Sequence, residues 1–252
     1  MRVLPLISQI AEAASVAEVW QISTAFFAAE GFARANYGFT RFRHDHSIGN
    51  PDDALFLTSL DQDYASRYFS DGFYARTPVY KWAERNTGSC TWAWVRQALL
   101  RGELSADEMD AVSQNAAMGI TAGITVSFPE ISVRAKGALG LIADPGLTEA
   151  DVEIIYSDRR DALLAVAHLM HLKIMQLPIR TRRRALTNRQ REALEWVADG
   201  KTTQDVALLM SVSPAMVEKH LRLAREALDV DTTAQAVAKA AMLNMIFQGA
   251  AV

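Results

Sequence analysis

The stretch Pro178-Ile-Arg-Thr-Arg-Arg-Arg-Ala185 limits what this chain can fold into more than any other. A proline ends the helix before it, and the five charged or polar residues that follow Ile179 cannot enter an apolar core. The chain is therefore expected to divide there, into an N-terminal domain over residues 1–177, a linker over 178–185 and a C-terminal domain over 186–252. Half of the 252 residues are apolar, enough to give two ordinary domains a core each. Charge divides at the same place. Residues 179–252 hold 11 Lys and Arg against 8 Asp and Glu, a balance of +3, whereas residues 1–178 hold 15 against 21, or −6. A basic end on an acidic protein is a weak pointer to a polyanionic partner.

The single cysteine, Cys90, excludes an intramolecular disulfide and fits a reducing compartment. Residues 1–31 do not form a signal peptide, because Glu12, Glu18 and Gln21 interrupt any apolar run. Residues 111–129 carry no charge, but Gly119, Gly123, Pro129 and several polar residues argue against a membrane span. The expectation is a soluble, cytoplasmic chain with no membrane partner. Enzyme chemistry finds little footing. Cys90 with His44 or His46 would need an activating base that is not in view. His168 and His171, three apart on a helix, lack a third ligand for a metal. No catalytic residue, metal or cofactor is expected.

The N-terminal half mixes helices and strands. Val16 to Glu30 is helical, with Val16, Val19, Trp20, Phe26 and Phe27 on its apolar side. Tyr37 to Arg43 alternates with the period of a half-buried strand, and Ala54 to Thr58 reads as its partner. Ser105 and Glu108 have capping-box spacing and open a helix to about Met118. Ile120 to Phe128 and Gly137 to Ala143 are β-rich runs parted by a turn. Thr148 then opens a long helix to about Gln176, with Val152, Tyr156, Leu163, Val166, Met170 and Ile174 on one side. Together these give an α+β fold, an α/β/α sandwich with an antiparallel sheet.

The C-terminal region reads as four short helices. Thr187 and Gln190 form a capping box, and Gly200 ends that helix. Thr202 and Asp205 cap a second. Ser213 caps a third, with Pro214 at its first position. The last runs from Thr233 to about Phe247. The four-residue Met210–Ser213 turn suits a helix-turn-helix. Val217, Leu221, Ala224 and Leu228 point inward, so Ala215, Glu218, Lys219, Arg222 and Arg225 project outward, where a major groove would lie. A solvated face on an ordinary bundle has the same pattern.

Leu186-Thr-Asn-Arg-Gln-Arg-Glu-Ala-Leu-Glu-Trp-Val-Ala-Asp-Gly-Lys-Thr202, followed by Val206-Ala207, Val217 and His220, resembles the DNA-binding domain of the LuxR family. The resemblance implies base reading by Ala215, Glu218 and Arg222 and backbone contacts by Lys201, Thr202, Lys219 and Arg225 on double-stranded DNA, with Ser213 a further DNA-binding residue. Arg222 suits a guanine and Glu218 a cytosine amino group. An ion pair between Glu218 and Arg222 is an equal alternative. Gln190 stands where the family usually has glutamate. That removes a charge which could touch RNA polymerase, and so weakens the expectation of activation, while repression stays open.

The N-terminal half shows no βα alternation and so is not a phosphorelay receiver. Tyr64-Ala-Ser-Arg-Tyr68, Thr77-Pro-Val79, Trp92, Gly119 to Gly123 and Gly137 resemble the autoinducer-binding domain of quorum-sensing LuxR proteins, over roughly Trp20 to Met170. The resemblance implies a pocket for N-acyl-homoserine lactones, held by a tryptophan, an aspartate, a tyrosine and other hydroxyls. Here Tyr68 matches the tyrosine, Trp92 an aromatic wall, Tyr64 the tryptophan position, Thr77 the aspartate position and Ala143 a hydroxyl position. Tyr64, Tyr68, Phe69, Thr77, Val79, Trp92 and Ala143 are therefore the candidate ligand contacts. Threonine loses a charge-assisted hydrogen bond, roughly twice as strong as a neutral one. A standard lactone is disfavoured, and a different autoinducer-like small molecule or none at all fits as well. The same aromatics could equally fill a core.

The last helix is apolar nearly all round, which asks for cover on more than one side. Val237, Ala240, Ala241 and Leu243 are the candidate contacts of a homodimer. The reading is a dimeric, signal-controlled transcription regulator. A ligand-independent regulator, or a protein-interaction antagonist of another such protein, is the alternative.

Overall fold

The computed structural model describes residues 3–44, 47–130 and 132–247. His46 lies outside them. The chain forms two compact units, one of Met1–Asn50 and Ala54–Lys173, the other of Pro51–Asp53 and Ile174–Val252.

The first unit holds a five-stranded antiparallel sheet in the order β2-β1-β5-β4-β3. Its strands are β1 (Arg34–Thr40), β2 (Leu55–Thr58), β3 (Gly88–Thr91), β4 (Gly123–Ser127) and β5 (Lys136–Ile142). The helices are α1 (Val3–Glu12), α2 (Val16–Ala29), α3 (Gln62–Ala65), α4 (Pro78–Arg85), α5 (Ala93–Leu100), α6 (Ala106–Ala117) and α7 (Glu149–Gln176), the last of which runs on into the second unit. The sandwich read from the sequence is therefore the one observed. The first strand begins three residues earlier than its alternation suggested and stops at Thr40. Short segments whose apolar residues show no clear period, α1, β3, α4 and α5, were not legible. Ser105 and Glu108 form the expected capping box of α6.

The two faces of the sheet differ. Tyr37, Phe39, Leu139, Leu141, Ile124 and Val126 share one face through the strand register. That face meets α2 and α7. Trp20 packs against Tyr37, and His171 touches Tyr37 and Phe39 and stacks on Phe128. The Tyr37 hydroxyl lies 2.8 Å from Nδ1 of buried His171. The opposite face carries Asn36, Gly38, Ala138, Gly140, Gly123 and Thr125. Side chains of α3 and α4 and Trp92 stand over it, through Asn36 to Tyr64, Ser127 to the carbonyls of Ala83 and Asn86, and Trp92 to Thr125.

The second unit contains α8 (Asn188–Ala198), α9 (Thr203–Leu209), α10 (Pro214–Leu228) and α11 (Thr233–Met242) around Leu194, Val206, Val217, Leu221, Ala224 and Ala236. Capping boxes at Thr187, Thr202 and Thr232, and the Ser213 cap before Pro214, satisfy the first N–H groups. The last helix is shorter than expected. Leu243 ends it, and Asn244 turns left-handed at φ 52° with its amide donating to the carbonyls of Met175 and Leu177. The basic linker is also more ordered than its composition suggested. Ile179 is buried, and its N–H donates to the Leu243 carbonyl. The Arg183 guanidinium is 15% exposed and sits 2.6 Å from Asp53, which Lys239 also approaches at 2.8 Å. A charged side chain enters a packed region only when so paired.

Candidate ligand cavity and nucleic-acid interface

Small residues open the cavity. Gly38, Ala138 and Gly140 leave the middle of the second sheet face without bulky side chains, and a cavity of about 110 Å³ lies over them. At Gly140 an added Cβ would find its nearest neighbours only at 3.9 Å, one of them the Trp92 ring. Aromatic rings wall this space: Phe56, Tyr64, Tyr68, Phe69, Tyr74, Tyr80 and Trp92. A π-helical turn over Ser66–Ser70 follows α3, and Tyr64 and Tyr68 stack with ring centroids 5.1 Å apart and planes at 14°.

Polar atoms of the wall are largely matched to each other. Asn36 donates to the Tyr64 hydroxyl at 2.8 Å and accepts from Thr58 at 2.7 Å. The Trp92 indole N–H donates to Thr125 at 2.8 Å. Burial pushes the Tyr68 phenol up to about 12 and Tyr64 well above the usual phenol range, so both stay neutral and able to donate.

Five of the seven expected ligand contacts, Tyr64, Tyr68, Phe69, Val79 and Trp92, line the cavity. Thr77 and Ala143 are not among the lining residues. Thr77 is buried as the N-cap of α4. Its hydroxyl accepts from the Tyr80 N–H and donates to the Tyr74 carbonyl at 2.8 Å. Pro78 at the next position favours that cap. Ala143 is buried just past β5, where its carbonyl accepts from Arg34. Reading from the sequence missed Asn36, Tyr74, Asn115, Thr125, Arg43 and Lys136 in the lining. The strand alternation that places Asn36 beside Gly38 could have found the first.

Cys90 is paired in β3 opposite Thr125, and burial pushes its thiol up to about 11, against reactivity. His168 and His171 both pack on Phe128. The described residues contain no group of three His, Cys, Asp or Glu side chains that could hold a metal, and no helix long and apolar enough to cross a membrane.

In the second unit α10 divides as its spacing required. Val217, Leu221, Ala224 and Leu228 are buried, while Ala215, Glu218, Lys219 and Arg222 are exposed and Arg225 is half-buried. Lys201, Thr202 and Ser213 are exposed beside it. The pairing of Glu218 with Arg222 is not formed. Arg222 meets Glu226 one turn on, and Glu218 accepts from Thr203 at 2.9 Å. Such an exposed i,i+4 pair contributes about 0.3–0.5 kcal/mol, little enough for a stronger partner to displace. Arg225 donates to Thr233 at 2.9 Å, which spends part of its guanidinium inside the unit. Of the four expected dimer contacts, Ala240 and Leu243 are buried within this chain. Val237 is half-buried and Ala241 exposed.

Residues 15–174 match the autoinducer binding domain family, and residues 184–240 match the luxR family of bacterial regulatory proteins. The transcriptional activator protein TraR of Agrobacterium vitis is 28% identical over 223 residues, covering 86% of this chain and 88% of TraR. The crystal structure of Escherichia coli SdiA has a TM-score of 0.55 at 18% identity and covers 98% of both chains. CepR2 of Burkholderia cenocepacia, titled an N-acylhomoserine lactone-dependent factor, has a TM-score of 0.53 at 17% identity, over 69% of this chain and 93% of its own. A cavity domain followed by an outward-facing third helix, each matched by its own family, makes this chain a member of the LuxR family of quorum-sensing transcription regulators.

Proposed function

We propose that this regulator binds operator DNA as a homodimer through α10, under control of a small molecule in the cavity that is not a standard acyl-homoserine lactone. The observation that carries the ligand reading is Thr77. It stands at the position of the family's aspartate, yet its hydroxyl is committed to backbone caps rather than to the cavity. The amide-holding contact of a lactone site is thereby missing, and Tyr64 replaces the indole donor. The mutual bonds of Asn36, Tyr64 and Thr58 favour a second reading, a regulator that folds and binds DNA without ligand, because these groups need no guest.

Arg222 and Glu218 on the open face of α10 support base reading, and Lys219 and Lys201 support phosphate contact. A two-fold site needs two such helices about one DNA turn apart, which a dimer provides. If α11 contributes, Ala241 and the outer part of Val237 are the available strip. Gln190 is buried in its capping box and offers no charge to RNA polymerase, which favours repression by occupancy.

Fluorescence anisotropy on an operator selected from random duplexes tests this reading. Arg222→Ala should lose about 1–3 kcal/mol on the selected site and relax one position. Lys219→Ala should weaken all sequences alike and reduce the salt slope by about 1. Equal losses for Arg222→Ala on selected and random DNA would remove it as a base reader.

A further inference from the structure

The cavity has two chemically different ends, set by the register of β5. At the Ile142 end Tyr64, Ile120 and Ile142 form an apolar cluster with Tyr68, Trp92 and Met118 packed on it. Asn115 of α6 lines the cavity there, next to Ile120, whose N–H bonds the Asn115 carbonyl. The side-chain oxygen of Asn115 is buried and has no hydrogen-bond partner among the described residues. A buried acceptor left so is destabilising, and a guest with an O–H or N–H would satisfy it.

At the other end β5 begins with Lys136, opposite Thr40, and Arg43 and Glu84 line the cavity beside them. Each cation spends one donor on a carbonyl at the end of α4: Arg43 on Glu84 at 3.2 Å and Lys136 on Asn86 at 2.9 Å. An ammonium has three donors and a guanidinium five, so several remain. Glu84 is the one acid that lines this end against the two cations, and Glu130 also acts on Lys136. Burial lowers the Lys136 ammonium below its usual range and neighbouring Arg43 lowers it further, against the opposing pull of Glu130 and Glu84. Both effects would be relieved by an anion between them. From Gly140 to Lys136 is four strand steps, roughly 13 Å.

Resting on the reading of the cavity as the signal site, we infer that its ligand is an elongated hydroxy acid or amido acid: a carboxylate between Arg43 and Lys136, an apolar chain or flat ring along Gly38, Ala138 and Gly140, and an O–H or N–H donor reaching Asn115. A lactone or ester of the same length lacks the anion this end selects.

Calorimetric titration of the full-length protein with 10-hydroxydecanoate, its methyl ester, decanoate and N-octanoyl-homoserine lactone tests the assignment. The hydroxy acid should bind at least about tenfold more tightly than its ester, the worth of about 1.4 kcal/mol. Lys136→Met or Arg43→Gln should erase that preference while leaving the ester's affinity within about twofold. Asn115→Ala should erase the preference over decanoate. Ala138→Trp, which fills the cavity, should abolish binding of the acid. The ester or the lactone binding as tightly as the acid to wild-type protein overturns the ligand class and leaves the cavity reading intact. Undiminished binding to Ala138→Trp, or no binding of any of the four probes to wild type, overturns the cavity reading as well. The comparison of acid with ester needs no variant, so misfolding of a mutant cannot shelter the proposal.

Discussion

The two faces of one sheet differ in a way that separates scaffold from site. On the face toward α2 and α7, Tyr37, Leu139 and Leu141 are fully buried under large side chains, and Gly137 leaves room for the His171 ring. On the other, Gly38, Ala138 and Gly140 occupy the alternate positions of the same two strands, and space remains above them. Natural cores are close-packed, so a run of small residues under an aromatic canopy is not explained by stability alone. Strand alternation lets one sequence encode both: odd positions of β5 hold the fold together and even ones keep room for a guest.

The comparison can be broken most sharply with Leu141→Ala. It deletes a fully buried side chain on the packed face and should destabilise the protein by about 2–5 kcal/mol in a denaturant titration. A loss below about 1 kcal/mol would mean that this face is no better packed than the other. Two glycines three residues apart make the next test. A Cβ at Gly137 would lie 2.5 Å from the His171 ring, so Gly137→Ala should cost about 1–3 kcal/mol as the ring is displaced. At Gly140 the nearest atoms stand at 3.9 Å, and Gly140→Ala should shift stability by no more than about 0.5 kcal/mol. Equal costs at both would erase the distinction.

The smallest effect concerns the helix layer itself. Arg159 of α7 forks onto Glu30 at the end of α2, at 2.8 and 2.7 Å, and its hydrogen bonds hold the Glu30 carboxyl below the usual 4.5. A depressed carboxyl stabilises the fold above its unfolded value, and that contribution is lost as pH falls through the folded one. Glu30→Gln should therefore lower the melting temperature slightly at pH 7 and flatten its decline below about pH 4.5, where the two proteins converge.

What could be read from the sequence followed the same physics. The α10 surface was legible because its residues lie on one helix, where spacings of 4, 3 and 4 fix inside and outside. The capping residues Thr187, Ser213 and Ser105 were legible because each acts within one turn. The cavity is assembled from segments as distant as Asn36, Asn115 and Lys136, which only strand register brings together. What Thr77 does locally is hidden by its alignment with an aspartate: with Pro78 after it, the hydroxyl caps a helix. The packing of the linker was not legible, because composition cannot show that Asp53, far away in sequence, would accept Arg183. Ala240 and Leu243 drew attention as apolar residues, but apolarity alone does not say whether the cover is a partner or the chain itself.

The central claim is that the face of small residues is kept open for a guest. It is tested most directly by purifying full-length wild-type protein and Ala138→Trp from the native host and measuring bound small molecules in each by denaturing extraction and mass spectrometry. One species is expected near stoichiometric with wild-type protein and absent from Ala138→Trp, while both bind the same DNA through α10. The same species in equal amount on both proteins, or none on either, would contradict it.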